Sequence, residues 1–96
     1  MAMPHTKPAI FVFGQAGCGA CEDYIPRFQT TVQHAHPSCP VGVYDLARDR
    51  HAQEFANRLG VQATPTTIVM DSARRLHKFV GAISNSEILR LLKRAV

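Results

Sequence analysis

Apolar and polar positions alternate along the chain in a way that marks short elements of two kinds. After residues 1–7, which we expect to form a loose lead, the run from Pro8 to Phe13 is almost wholly apolar and is closed by Gly14. A run of this length and character is typical of a strand covered on both faces. From Gly19 to about Ala35, apolar residues recur at the spacing of one helical face. The chain therefore opens with a strand and a helix, which we expect Pro26 to kink.

The same alternation returns in the middle of the chain. A second strand is predicted from Val41 to Leu46, because the run is apolar and rich in β-branched and aromatic residues. A second helix is predicted from Ala52 to Leu59, where apolar residues again share one helical face. Asp49 is placed to cap the start of this helix, and Gly60 follows its last residue.

A hairpin and a last helix complete the pattern. After Pro65, the β-branched run from Thr66 to Met70 is separated by turn residues from a partner strand at Leu76 to Val80. Ser84 to Glu87 has the spacing of a capping box ahead of an apolar helical face formed by Ile88, Leu91, Leu92 and Ala95. The order β-α-β-α-β-β-α predicts an α/β fold, a mixed four-stranded sheet with helices on both faces.

Length and composition narrow the class of protein. We expect the 96 residues to form a single domain, 1–96, because 46% are apolar and neither a repeat nor a linker interrupts them. The longest apolar stretch, Ala9 to Phe13, is far shorter than the roughly 20 residues that span a membrane. The first seven residues do not resemble a secretory signal, so we expect a cytoplasmic protein whose thiols stay reduced unless they are catalytic.

The net charge of +4 changes the picture little. Basic residues cluster at Arg74–Lys78 and again at Arg90, Lys93 and Arg94, without the aromatic residues on which bases stack. We therefore expect solvated basic faces, no nucleic acid and no membrane among the partners, and a monomer.

Chemistry is concentrated in the segment Cys18-Gly19-Ala20-Cys21, between the first strand and the first helix. In that context a C-x-x-C pair predicts a redox site. At the helix N-terminus, unpaired N–H groups and the helix dipole favour Cys18 as thiolate, the species that attacks disulfides. Cys21, one turn further on, can then resolve the mixed disulfide. Zinc sites share the C-x-x-C spacing, so the pair by itself is weak evidence.

Four features in register resemble the thioredoxin family. They are the cysteine pair after an apolar strand, Pro26 five residues beyond Cys21, Ala63-Thr64-Pro65-Thr66 before the third strand, and Val80-Gly81-Ala82 after the fourth. The resemblance runs from about Ile10 to Val96 and implies a thioredoxin-like fold. It also implies that Cys18 is the nucleophile and Cys21 the resolving thiol.

The same resemblance implies a substrate groove. Thr64-Pro65 would be a cis peptide bond packed against the cysteines, and the Thr64 backbone would pair with the substrate chain like an added strand. Gly81, with Ala82, would line the groove, together with Gly17 just before the first cysteine.

Four positions depart from the family pattern, one of them Ala20, where the usual residue between the cysteines is Pro. Gly17 stands where members usually carry Trp, and Val12 and Val43 stand where many carry a buried Asp and its Lys partner. Without that pair, Glu22, Asp23, a water or the leaving thiolate must take the proton of Cys21, and we expect slow resolution.

The predicted function is therefore a small cytoplasmic thiol-disulfide oxidoreductase, an enzyme of electron transport and cell redox homeostasis. It would reduce protein disulfides through Cys18 and Cys21 and be re-reduced by a disulfide reductase or by glutathione, with no metal and no organic cofactor. Two alternatives stay open: a thioredoxin-fold binding module with non-catalytic or regulatory cysteines, and a glutathione-dependent, glutaredoxin-like reductase.

The odd thiol, Cys39, follows the first helix. A helix of about 17 residues rises about 25 Å and would hold His36 and Cys39 far from the cysteine pair, so a shared zinc site is not expected. We expect a partly exposed or packed structural thiol, with intermolecular or regulatory oxidation as the alternative. Tyr24 is expected to pack against its neighbours, although it is close enough in sequence to flank the site.

Overall fold

The computed structural model describes residues 8–94 and arranges them as seven elements around one sheet. The predicted lead, residues 1–7, and the predicted last helical position, Ala95, lie outside the described residues. Strands and helices follow one another in the predicted order: β1 (Ala9–Gly14), α1 (Gly19–Ala35), β2 (Val41–Asp45), α2 (Arg50–Arg58), β3 (Thr66–Met70), β4 (Leu76–Val80) and α3 (Asn85–Arg94).

The four strands lie in the order β2-β1-β3-β4. β1 runs parallel to β2, with Val12 opposite Val43, and antiparallel to β3, with Val12 opposite Thr67. β3 and β4 form the predicted antiparallel hairpin. Every residue of β1 is buried, as expected for a strand covered on both faces.

Two apolar clusters flank the sheet, one on each face. The first joins Ile10, Val12 and Val69 of the strands to residues of α1 and α3, namely Tyr24, Phe28, Ile88, Leu91 and Leu92. The second joins Phe11, Phe13, Ile68 and Met70 to the α2 side, where Ala56 and Val61 are buried and Phe55 stacks edge-on against both phenylalanines. This alternation of side chains puts helices on both faces of the sheet.

The predicted helix boundaries have local physical causes. Asp49 caps α2 by accepting from the backbone N–H groups of His51 and Ala52, and Gly60, with φ +73°, lies just past its end. The Ser84 Oγ accepts from the Glu87 N–H at the start of α3. α1 runs without interruption from Gly19 to Ala35, through Pro26. The kink expected at Pro26 stays a prediction.

The β3–β4 turn lies at the end of the sheet away from the α1 N-terminus. Asp71 accepts from the backbone N–H groups of Ala73 and Arg75 and pairs with His77 across the turn. The hydrogen bond from His77, followed by those from the backbone, lowers the pKa of the Asp71 carboxyl. Within residues 8–94, no helix is both long enough and apolar enough to cross a membrane.

Candidate active site

Both cysteines of the predicted pair lie at the N-terminus of α1. Cys18 is the N-cap residue, with extended backbone angles (φ −88°, ψ 108°), and its N–H donates to the Gln15 carbonyl at 3.1 Å. The preceding Gly17 has φ +86°, a left-handed conformation that favours glycine. This tight turn carries the chain from β1 into α1 and exposes the start of the helix.

The two sulfurs are joined in a disulfide and differ sharply in exposure. Their Cα atoms are 5.2 Å apart. Cys21 is only 3% exposed, whereas Cys18 is half-buried. The Cys21 N–H donates to the Cys18 Sγ at 3.2 Å, so the sulfur occupies the position where an N-capping oxygen usually sits. Negative charge on Cys18, once reduced, is therefore stabilised by this N–H and by the helix dipole.

The segment before β3 closes over Cys18. The Thr64–Pro65 peptide bond is cis, Pro65 is buried, and the Thr64 carbonyl oxygen lies 3.7 Å from the Cys18 Sγ. The Gly81 N–H donates to the Pro65 carbonyl at 2.7 Å, so the end of β4 lies next to the cis-proline segment. We call Gly17, Cys18, Thr64 and Gly81 the rim; its members come together mainly through backbone groups.

A cavity opens on the other side of the pair, next to Cys21. It has a volume of about 440 Å³. Its lining comes from the β1 end, the loop that follows, the first turns of α1 and the β2 end: Gly14, Gln15, Ala16, Cys21, Glu22, Ile25, Pro26, Val43, Tyr44 and Asp45. We call it the Cys21 cavity. Its wall is largely apolar, and Val43, 40% exposed, contributes to it from the edge strand.

The titratable groups of the Cys21 cavity lie on two elements, α1 and β2. They are Glu22, next to Cys21 in sequence, with Tyr44 and Asp45. Asp23, which the sequence could not separate from Glu22, does not line it. Val12 is fully buried and lies opposite Val43. Two apolar side chains therefore occupy the paired positions at which the thioredoxin family pattern has Asp and Lys.

Sequence reasoning missed two residues that shape the site. The Asp45 carboxylate accepts from the N–H groups of Ala16, at 3.3 Å, and Ala47, at 2.9 Å, and so ties the loop before Cys18 to the end of β2. Arg27 on α1 donates a hydrogen bond to the Ile83 carbonyl, in the segment after β4. Asp45 had one usable signal, its place at the carboxyl end of a parallel strand, where sites gather. Arg27 had none.

Tyr24 lies in the core beneath the site. It is fully buried, and its hydroxyl shares a 2.8 Å hydrogen bond with the Thr67 hydroxyl. Burial raises the pKa of Tyr24, an effect that the Thr67 hydrogen bond and nearby Arg27 partly offset. The residue therefore packs against the sheet and does not flank the cysteines.

Cys39 lies beyond the C-terminal end of the 17-residue α1, whereas the cysteine pair lies at its N-terminal end. It is partly buried and packs against the cluster shared with α1 and α3. Burial raises the pKa of the Cys39 thiol. In the part of the chain that the structure describes, no three His, Cys, Asp or Glu residues come together as a potential metal site.

Comparison with known proteins finds similar sequences in a disulfide bond formation protein and a thioredoxin. No family model matches the chain. A disulfide bond formation protein of Brevibacillus choshinensis is 31% identical over 77 residues, which cover 80% of this chain and 63% of that protein. Chloroplastic thioredoxin Y of Oryza sativa subsp. japonica is 24% identical over 90 residues, 94% of this chain and 52% of that protein. The chain thus spans between half and two thirds of these relatives.

Solved structures agree. Fasciola hepatica thioredoxin superposes with a TM-score of 0.75 at 18% identity, covering 95% of this chain and 83% of that one. This chain has the thioredoxin fold. The predicted fold class and the resemblance to the thioredoxin family are confirmed. Within this thioredoxin fold, the cysteine pair lies at the start of α1, shortly after β1, and the cis-proline segment lies before β3.

Proposed function

We propose that the chain is a thiol-disulfide oxidoreductase that reduces protein disulfides through Cys18 and Cys21. The observation that carries this proposal is the disulfide at the α1 N-terminus, with one accessible sulfur and one buried sulfur. The accessible Cys18 Sγ already accepts a backbone N–H, which suits a thiolate nucleophile. The thioredoxin and disulfide-bond-formation relatives support the same activity.

The reaction has two steps. The Cys18 thiolate attacks one sulfur of the substrate disulfide, which forms a mixed disulfide and releases the first substrate thiolate. Cys21 then loses its proton and attacks the Cys18 Sγ. This step forms the Cys18–Cys21 bond and releases the second substrate thiolate, which takes up a proton. The substrate gains two electrons, and a disulfide reductase or glutathione returns two electrons to the oxidised pair.

Substrate chains would dock along the rim. Thr64 precedes the buried Pro65, is only partly buried itself, and carries its carbonyl oxygen beside the Cys18 Sγ. A segment that pairs with the Thr64 backbone as an added strand would therefore bring its disulfide to Cys18. In the same proposal the enzyme is a cytoplasmic monomer of electron transport and redox homeostasis, and it uses neither nucleic acid nor membrane. These last parts rest on sequence composition alone.

A redox titration in defined thiol-disulfide buffers tests the proposal, with alkylation and intact mass locating the bond. We expect a single two-electron transition confined to Cys18 and Cys21, at or below about −200 mV, the range of cytoplasmic reductants. A markedly higher potential would reverse the proposed direction and indicate an oxidant or isomerase. Failure to form the bond, or a zinc mass in the native spectrum, would overturn the proposal.

A single substitution separates an enzyme from a binding module. Cys18→Ser should abolish reduction of a protein disulfide completely, while Cys39→Ser, the matched control, should leave it intact. A Cys18→Ser protein that still binds its partner with unchanged affinity, set beside an unmodified protein without turnover, would favour the binding module.

A further inference from the structure

The segment that follows β4 is held at two points. At its start, the Gly81 N–H donates to the Pro65 carbonyl at 2.7 Å. Two residues later, the Ile83 carbonyl accepts from an Arg27 guanidinium nitrogen at 2.7 Å. Ala82 lies between these anchors and is exposed. The position of this exposed residue beside the rim therefore depends on Arg27 as well as on the Pro65 segment.

Arg27 itself is held by contacts on two elements. The same guanidinium nitrogen donates to the Asn85 carboxamide oxygen at 2.8 Å, at the start of α3. The guanidinium carbon lies 5.3 Å from the centre of the Tyr24 ring, within cation–π range. The hydrogen bond between Tyr24 and Thr67 fixes that ring against the sheet. Arg27 is thus braced by the core and reaches out to the loop.

The acceptors of Arg27 are neutral. Among residues 8–94 the ion pairs are formed by other side chains, and Arg27 directs its donors to a backbone carbonyl and an amide. Hydrogen bonds from a charged donor are stronger than neutral ones and fix geometry. The two hydrogen bonds from Arg27 therefore fix the path of the segment between β4 and α3.

We propose that Arg27 is a positioning residue for protein substrates. By holding Ile83 it fixes Ala82 beside the rim, so that the Gly81–Ala82 backbone lies ready beside Thr64 when a substrate segment docks. The inference rests on the proposed function, because it assigns a role in the same groove. Arg27 does not touch the cysteines, so small disulfides, which reach Cys18 without contacting the loop, do not need it.

The test compares a large and a small disulfide substrate. Arg27→Gln is assayed with insulin as the protein disulfide and with 5,5′-dithiobis(2-nitrobenzoate) as the small one. We expect KM for insulin to rise about three- to tenfold, the range of an ordinary hydrogen bond, because Arg27 acts on the substrate only through the loop; kcat should stay unchanged. Both constants for the small disulfide and the redox midpoint of the cysteine pair should stay as in the unmodified protein.

Three further variants separate positioning from stability and charge. Ile68→Val removes a buried methyl group from the cluster on the α2 face and destabilises the core without touching Arg27; its KM for insulin should not change. Arg58→Gln removes one exposed positive charge on α2 and should also leave KM unchanged. Arg27→Lys keeps the charge without the planar guanidinium fork and should fall between the unmodified protein and Arg27→Gln.

The outcomes are decisive. Equal losses with insulin and the small disulfide, or no loss with either, would overturn the positioning role. An insulin defect of similar size in Arg58→Gln would assign the effect to net charge and overturn it as well. If the unmodified protein reduces neither substrate, the proposed function itself fails, and this inference fails with it.

Discussion

The two sides of the cysteine pair differ in the kind of group that surrounds each sulfur. On the Cys18 side, the rim consists of backbone groups held by hydrogen bonds, such as the Gly81 N–H on the Pro65 carbonyl. On the Cys21 side, the cavity is walled mainly by apolar side chains, among them Ile25 and Val43. The two sulfurs are bonded to each other, yet the Cys18 sulfur lies beside a backbone carbonyl group and Cys21 lies at a largely apolar cavity.

This difference matches the two steps of the proposed reaction. A nucleophile that must meet many partners benefits from backbone contacts, because every protein substrate has a backbone to pair with. A resolving thiol must stay protonated until the mixed disulfide has formed, and apolar surroundings oppose an early negative charge. The rim therefore suits capture, and the Cys21 cavity suits a delayed second attack.

Among changes on the Cys21 side, the largest effect should follow from removing the sulfur itself. In Cys21→Ser, Cys18 can still attack the substrate disulfide, but no neighbouring thiol can release the substrate from the mixed disulfide. We expect a mixed disulfide that accumulates and a turnover at least about 100-fold lower, because an intramolecular attack is replaced by one from solution. Intact mass after mixing with substrate measures it, with Cys39→Ser as control. Multiple turnover at the unmodified rate in Cys21→Ser would contradict the two-step scheme.

A smaller effect should follow from changing Glu22, the carboxylate that α1 contributes to the lining of the Cys21 cavity. Glu22 lines the Cys21 cavity and Asp23 does not, so Glu22→Gln should slow resolution while its neighbour Asp23→Asn does not. A positioned base is worth about 100-fold or more; for an exposed carboxylate we expect about tenfold. Rapid-quench decay of the mixed disulfide gives the rate. Equal rates in the two variants would leave the proton to water or to the leaving thiolate.

Slow resolution is a prediction in its own right. Val12 and Val43 occupy the positions where the family pattern has a buried acid and its partner, so the mixed disulfide should be detectable in the unmodified protein at neutral pH. A mixed disulfide seen only in Cys21→Ser would show that resolution is fast without a buried acid.

The smallest effect concerns the backbone of the rim. Gly17→Ala should destabilise the fold by about 1 kcal/mol, the cost of a left-handed conformation for a residue with a Cβ. Steric overlap adds nothing, since a Cβ there would meet no atom within 4 Å. Gly19→Ala is the matched control: it also meets no atom within that distance and lies in the first turn of α1 with an ordinary φ. Urea unfolding compares the two, and equal stabilities would contradict the strain argument.

Much of the fold could be predicted because its signals are local. The capping Asp49, the glycine after α2 and the apolar run of β1 each act over a few residues, and the structure has each element within about two residues of its predicted bounds. The second strand, predicted to Leu46, ends at Asp45. Its last predicted residue instead donates its N–H to the Gly14 carbonyl, as the parallel pair closes.

The site could be predicted only in part. The cysteine pair could be predicted from its spacing, and Thr64-Pro65 could be predicted from its place before a strand. Arg27 could not be found this way, because an arginine on a helix is usually solvated and its acceptor, Ile83, lies 56 residues away in sequence. The choice between Glu22 and Asp23 also needed the fold, since neighbours on a helix point in directions about 100° apart.

The sequence by itself determined the order of elements, their approximate boundaries and the identity of the two sulfurs that form the disulfide, because hydrophobic period, capping and residue chemistry act within a few positions. The tertiary structure alone decided which sulfur is exposed, which carboxylate reaches the cavity and which arginine holds the loop. Those facts depend on pairs far apart in the chain, such as Cys18 with Thr64 and Arg27 with Ile83, that meet only when the sheet and helices pack.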